Sequence, residues 1–166
     1  METIDDAWWT IRKLVTMDGV DVNLKYQSDE SLLHRAAGKR CGLEIVRLLL
    51  NNGADINILD SFGENALHHA SRLGMVPTVQ LLVERGIDIH ARNGSNWNAL
   101  HMAARSSFPS IDIVRSLIAA GVDPNARDDN GKTPLDLAIA KRERTFDEEE
   151  KKVYEAIIDE LQSYAM

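Results

Sequence analysis

Aromatic residues make up only 5% of this chain, so its 44% hydrophobic content rests on aliphatic side chains, which suits helices packed through Leu, Ile, Val and Ala. Cysteine occurs once, at Cys41, so no intramolecular disulfide can form. A single thiol with no placed base reads as an ordinary surface or half-buried group rather than a nucleophile. Long apolar runs are missing. Stretches such as Leu48–Leu50 are far too short to span a bilayer. The start, Met-Glu-Thr-Ile-Asp-Asp, is acidic and lacks the basic-then-apolar build of a secretory leader. No dense basic stripe is present, which argues against nucleic acid as a partner. The net charge of −7 is concentrated at the C-terminal end, where residues 143–166 hold eight acidic and three basic residues. No nucleophile elbow, P-loop, dinucleotide fingerprint or HExxH motif occurs, and carboxylate pairs such as Asp128-Asp129 fall in solvated loops. The expectation is a soluble intracellular protein of one domain, not an enzyme, with no cofactor and no metal.

What is present is a repeat. Between Gly63 and Arg92 the period reads as a short helix, a turn, a second helix and a loop. Ala66, Leu67 and Ala70 form a narrow stripe of small apolar residues on the first helix. Gly74 supplies the turn, and Pro77 stands where a second helix can begin without needing its N–H. Val79, Leu81, Leu82 and Val83 are the body of that helix, and Gly86 ends it as a cap of positive φ. Leu32 to Ala37, Ala99 to Ala104 and Pro134 to Ile139 repeat the first helix. The helix-ending glycines Gly19, Gly53, Gly86 and Gly121 recur at intervals of 34, 33 and 35, each followed by a loop of the type Val-Asp-Val-Asn. A hairpin of this size cannot bury its apolar stripes alone and must stack on copies of itself.

The pieces Gly131-Lys132-Thr133-Pro134-Leu135 and Gly53-Ala54-Asp55-Ile56-Asn57 make the chain resemble the ankyrin-repeat family, clearly over residues 20 to 142. The resemblance implies an all-α solenoid of stacked helix-turn-helix repeats with hairpin loops. It implies an N-terminal half-repeat over 1–27, full repeats over 28–60, 61–93 and 94–128, and a fourth over 129–166 with a modified capping helix. Residues 4–17, with Ile4, Ala7, Trp8, Ile11, Leu14 and Val15 on one face, read as the helix of the half-repeat, with Trp9 as cover over its edge. The third repeat carries an insertion, Ser106 to Ser110, whose Phe108 is either a local plug or an anchor. The turn from Lys141 to Phe146 reads as expanded by about seven residues, and Thr145 with Glu148 as a capping box for the last helix.

His34, His68 and His101 sit at one place in successive repeats. Stacked helices lie about 8–10 Å apart, too far for these three to share one ion. The resemblance implies that this histidine stitches hairpin loops together, with Asp136 in its place in the fourth repeat. It also implies a concave docking face. The tip positions carried over are Glu30, Glu64, Trp97 and Lys132, with Phe62 nearby. The helix positions are Arg35, Lys39, His69, Arg72, Met102, Arg105, Leu137 and Lys141. Arg72 and Arg105, flanked by Arg35, Lys39 and Lys141, predict a locally basic groove in an acidic chain. Trp97 reads either as the apolar anchor of that groove or as a ring packed on the neighbouring loop. The family also contains substrates of an asparaginyl hydroxylase, whose pattern Leu49, Asp55 and Asn57 match, as do Leu117, Asp123 and Asn125 with Pro124 as a departure. The fold needs the same residues. The leading expectation is a monomeric protein-interaction module for an acidic or mixed segment of a protein partner, in the cytoplasm or nucleus. The alternatives are an inhibitor like the ankyrin inhibitors of Rel-type transcription factors, or an effector delivered into a host cell.

Overall fold

The computed structural model describes residues 13, 15–17, 19–40 and 42–165. The expected helix over 4–17, with Trp8 and Trp9, lies almost wholly outside the described residues, as does Cys41. Within the described residues from Leu32 onward, α-helices pair as antiparallel hairpins: α1 (Leu32–Ala37) with α2 (Leu43–Asn51), α3 (Ala66–Arg72) with α4 (Val76–Glu84), α5 (Ala99–Ala104) with α6 (Ile111–Ala120), and α7 (Pro134–Arg144) with α8 (Glu148–Gln162). First helices stack in one layer, α1 on α3 on α5 on α7, and second helices in another, α2 on α4 on α6 on α8. Among the described residues there is no strand, only an isolated antiparallel bridge between Lys25 and Ser31. No helix among them is long and apolar enough to cross a membrane.

The layers follow from the side chains. Ala36, Ala37, Ala66, Ala70, Ala99, Ala103, Ala104 and Ala138 are buried, so the short first helices approach closely. Leu49, Val79, Leu82, Val114 and Leu117 fill the space between the layers. Each of the first three second helices ends on a glycine of positive φ: 84° at Gly53, 79° at Gly86 and 102° at Gly121. The chain then turns so that Ala54, Ile87 and Val122 donate back to the carbonyls of Leu49, Leu82 and Leu117 at 3.0, 3.1 and 3.0 Å, as in a Schellman cap. Gly74 is constrained twice, by a φ of 73° and because a Cβ there would lie 2.7 Å from the Phe108 carbonyl oxygen.

First helices start on Ser31, Asn65, Asn98 and Thr133, each in a reciprocal capping box with the residue three further on. In three repeats that residue is the histidine. Its Nδ1 accepts from the cap backbone N–H, at 3.1 Å in His34, 3.3 Å in His68 and 3.2 Å in His101. Its Nε2 donates across to the next hairpin, to the carbonyls of Glu64, Trp97 and Lys132 at 2.9, 3.1 and 3.2 Å. Burial holds all three imidazoles below their ordinary pKa and therefore neutral, the form this pattern requires. Asp136 is too short to reach onward. It accepts from the Thr133 N–H and hydroxyl at 2.9 and 3.1 Å, and the stitching ends there.

The C-terminal end differs from the expectation in two ways. Lys141 to Arg144 do not form an expanded turn but lengthen α7, and only Thr145, Phe146 and Asp147 connect it to α8. Lys, Arg and Glu are good helix formers, so the helix continues where the repeat template would end it. The cap of α8 is Asp147, which accepts from the Glu150 N–H at 2.8 Å, while Thr145 turns back and donates to the Lys141 carbonyl at 3.0 Å. The face that covers the last repeat is made of Tyr154, Ile157 and Leu161, all buried, with Val153 partly so. The Tyr154 hydroxyl donates to the Ser106 carbonyl in the third-repeat insertion, and burial pushes its pKa up to about 12.

Candidate docking face

The hairpin tips are built alike. Asp60 Oδ1 accepts from the Phe62 and Glu64 N–H groups, both at 2.9 Å. Asn93 Oδ1 accepts from Ser95 and Trp97 at 3.0 Å, and Asp128 Oδ1 from Asn130 and Lys132 at 2.8 Å. Backbone bonds join successive tips, Ser61 N–H to Ser28 O at 2.9 Å, Gly94 to Phe62 at 2.8 Å and Asp129 to Ser95 at 3.3 Å. Burial alone would raise the Asp60 carboxyl, but hydrogen bonds from His69, Glu64 and Phe62 outweigh it and hold the group below its ordinary value. Asp128 behaves likewise: burial pushes it up, and the Lys132 N–H and the Trp97 indole outweigh that. The result is a continuous row that presents Glu30, Glu64, Trp97 and Lys132 at equivalent places.

Equivalent places are not equally exposed. Glu64, His69 and Met102 are buried, which corrects their assignment to an exposed face. Met102 is only 4% exposed and lies in a cleft wall beside Trp97 and Arg105, where its flexible, unbranched side chain can lie flat. His69 Nε2 meets Asp60 Oδ2 at 3.0 Å and Glu64 Oε2 at 3.5 Å. Asp60 is a member of this cluster that reading the repeats one by one missed. Its signal was the alignment with Asn93 and Asp128.

The groove is also less basic than expected at its N-terminal end. Arg35 Nε lies 3.3 Å from Glu30, and Arg72 Nη1 lies 3.0 Å from Glu64 Oε2. Arg72 is therefore paired with a carboxylate that is only 7% exposed, and is not the unpartnered surface charge the sequence suggested. Among the described residues, Lys39, Arg105, Lys132 and Lys141 have no carboxylate within ion-pair distance, so the uncompensated positive charge lies mainly toward the third and fourth repeats.

Trp97 is half-buried and donates from its indole N–H to Asp128 Oδ2 at 3.0 Å. One ring neighbour is His101, stacked at 6.1 Å, and the Arg105 guanidinium lies 5.3 Å from the ring centre. Trp97 is thus packed on the neighbouring tip, and the cation beside its ring is Arg105. Phe108 rests its backbone on Gly74, while 53% of its surface stays open. It separates two clefts. One, of about 500 Å³, has Leu73, Trp97, Met102 and Arg105 in its walls; the other, of about 560 Å³, has Lys39, Arg40, Met75 and Pro77. Phe62 is 62% exposed at its tip. The loop asparagines are engaged: Asn57 Oδ1 accepts from the Asp88 N–H at 2.7 Å, and Asn125 Nδ2 donates to the Tyr164 carbonyl at 2.8 Å.

Comparison with known proteins agrees with this architecture. A family model described as ankyrin repeats in three copies matches residues 6–93, and one described as ankyrin repeats in many copies matches 82–138. The E3 ubiquitin-protein ligase KEG of Arabidopsis thaliana is 35% identical over 114 residues, 68% of this chain. The chain spans only 7% of the length of that relative.

Proposed function

Because this chain belongs to the ankyrin-repeat family, we propose that it is a non-enzymatic interaction module whose docking face is the cleft between Leu73, Trp97, Arg105 and Phe108. The observation that supports this most is Arg105. Its guanidinium is held beside the Trp97 ring with no carboxylate partner among the described residues, next to an exposed phenylalanine. A surface that leaves a fixed cation beside open apolar area suits a segment carrying a carboxylate next to a bulky apolar side chain. Phe62 and Lys132 extend the face along the tips, and Lys39 and Lys141 add long-range attraction from its ends. Glu64, Arg72 and Met102 line the same cleft, with Arg72 held by Glu64, and His69 supports Glu64 from the neighbouring cleft. Arg35 stays paired with Glu30. Asn57 and Asn125 serve as ties between loops.

The test is quantitative capture from a cell extract by the wild-type chain and by the double variant Arg105→Glu, Phe108→Ala. The double variant should keep its fold and weaken binding of the captured partner by about tenfold or more, roughly 1.4 kcal/mol. Partners that bind both forms equally would place the docking face elsewhere.

A further inference from the structure

Asp60, Glu64 and His69 form a buried cluster in the second repeat. All three are buried, the His69 side chain to 8% exposure, and one ligand atom from each lies within 4.8 Å of the others. The edges of the triangle at His69 Nε2 are 3.0 Å to Asp60 Oδ2 and 3.5 Å to Glu64 Oε2. A tetrahedral ion with bonds of about 2.1 Å sets its ligands about 3.4 Å apart. The other oxygen of each carboxylate is anchored by the protein: Asp60 Oδ1 by the Phe62 and Glu64 N–H groups, and Glu64 Oε1 by Asn93 Nδ2 at 3.1 Å. Glu30 Oε1 lies 3.8 Å from His69 Nδ1, on the far side of the ring, where an outer carboxylate orients a metal-bound imidazole. The cluster opens on a cleft of about 680 Å³ that Tyr26, Arg35 and Phe62 help to line, so an ion and a water have access.

We propose that Asp60, Glu64 and His69 are a three-ligand site for zinc, with the fourth position open to the cleft. One imidazole and two carboxylates suit zinc better than calcium or magnesium, which take oxygen ligands. Arg72 is the competitor built into the site. Its Nη1 lies 3.0 Å from Glu64 Oε2, the oxygen the ion requires, and its half-exposed side chain can rotate out to solvent. Zinc and the Arg72 guanidinium compete for that oxygen.

Calorimetric titration of the full chain with zinc chloride tests this, alongside three variants. Arg72→Gln removes the competitor and should tighten binding severalfold. Asp60→Asn and His69→Met should each weaken it at least tenfold. Asp60→Asn copies the next repeat, where Asn93 builds the same tip, and should melt near the wild-type temperature without zinc. His69→Met, which copies Met102, takes a hydrogen bond from the buried Asp60 carboxylate and should melt lower but stay folded. One ion per chain with this order of affinities is the expected result. No binding by the wild type, undiminished binding by His69→Met, or weaker binding by Arg72→Gln would each overturn the assignment.

Discussion

Arg72→Glu should destabilise the protein, although Arg72 lies on the surface. The arginine side chain is 43% exposed, but its partner Glu64 is 7% exposed, and Asp60 and His69 stand in direct contact behind it. Removing the guanidinium leaves a buried carboxylate with only Asn93 and His69 to support its charge. That loss alone is worth about 1–2 kcal/mol, after discounting the pair for the solvent that screens Arg72. Placing a carboxylate there instead adds repulsion. Two unit charges about 5 Å apart interact by about 3 kcal/mol at an effective dielectric of about 20, and exposure of the new side chain reduces this to roughly 1 kcal/mol. The expected total is about 2–3 kcal/mol. Arg105→Glu, which breaks no ion pair, should lose only the contact with the Trp97 ring, about 0.5–1 kcal/mol. Urea denaturation of the two variants provides the comparison, and Glu64→Gln in the Arg72→Glu background should restore part of the loss. Equal stabilities for Arg72→Glu and Arg105→Glu would refute the reasoning.

Three further outcomes follow from the packing. His34, His68 and His101 have folded pKa values below the ordinary 6.5, so the unfolded chain binds more protons in acid. Their contribution is therefore complete above about pH 6.5 and falls as the pH drops below it, by at most about 1.4 kcal/mol per pH unit each, with Asp60, Asp128 and Asp136 adding a second loss below their ordinary 3.8; urea midpoints that stay level between neutral pH and about pH 5 would contradict this. The Ser71 hydroxyl is buried without a hydrogen-bond partner among the described residues, where Ala37 and Ala104 stand in the adjacent repeats, so Ser71→Ala should stabilise by about 1 kcal/mol and raise the melting temperature by roughly 2–4 °C in calorimetry. Deleting residues 147–166 removes Tyr154, Ile157 and Leu161 from the stack, which forfeits roughly 5–8 kcal/mol of burial; the truncated chain should melt early and aggregate in light scattering, unlike a chain that ends on a self-sufficient repeat.

The repeat and its glycine caps were legible in the sequence because they depend on spacing, and the histidine stitches were legible only through the family resemblance. A residue of positive φ must recur wherever a second helix ends on the repeat's loop, and a capping histidine must recur wherever a first helix is tied to the next tip. Occupancy of the concave face was not legible, because Arg35, His69 and Met102 share one helical position and differ in where their side chains go. An arginine reaches water from that position. A methionine lies down in the cleft wall, and a histidine beside Asp60 and Glu64 is drawn into a cluster. The pairing of Arg72 with Glu64 is a contact between a helix and the tip before it, eight residues apart and off the helical period, so no face-by-face reading reaches it. The end of α7 was misplaced for a different reason: the repeat template stops where local helix propensity does not.

The central claim, a docking face made by Arg105 beside Trp97 and Phe108, is tested most directly by selecting a random peptide display library on the wild-type chain and measuring the enriched peptides on Arg105→Glu. Peptides with Asp or Glu next to Leu, Phe or Trp should dominate and should bind the variant about tenfold more weakly or worse. Enrichment of basic peptides, or of peptides that bind both forms alike, would contradict it.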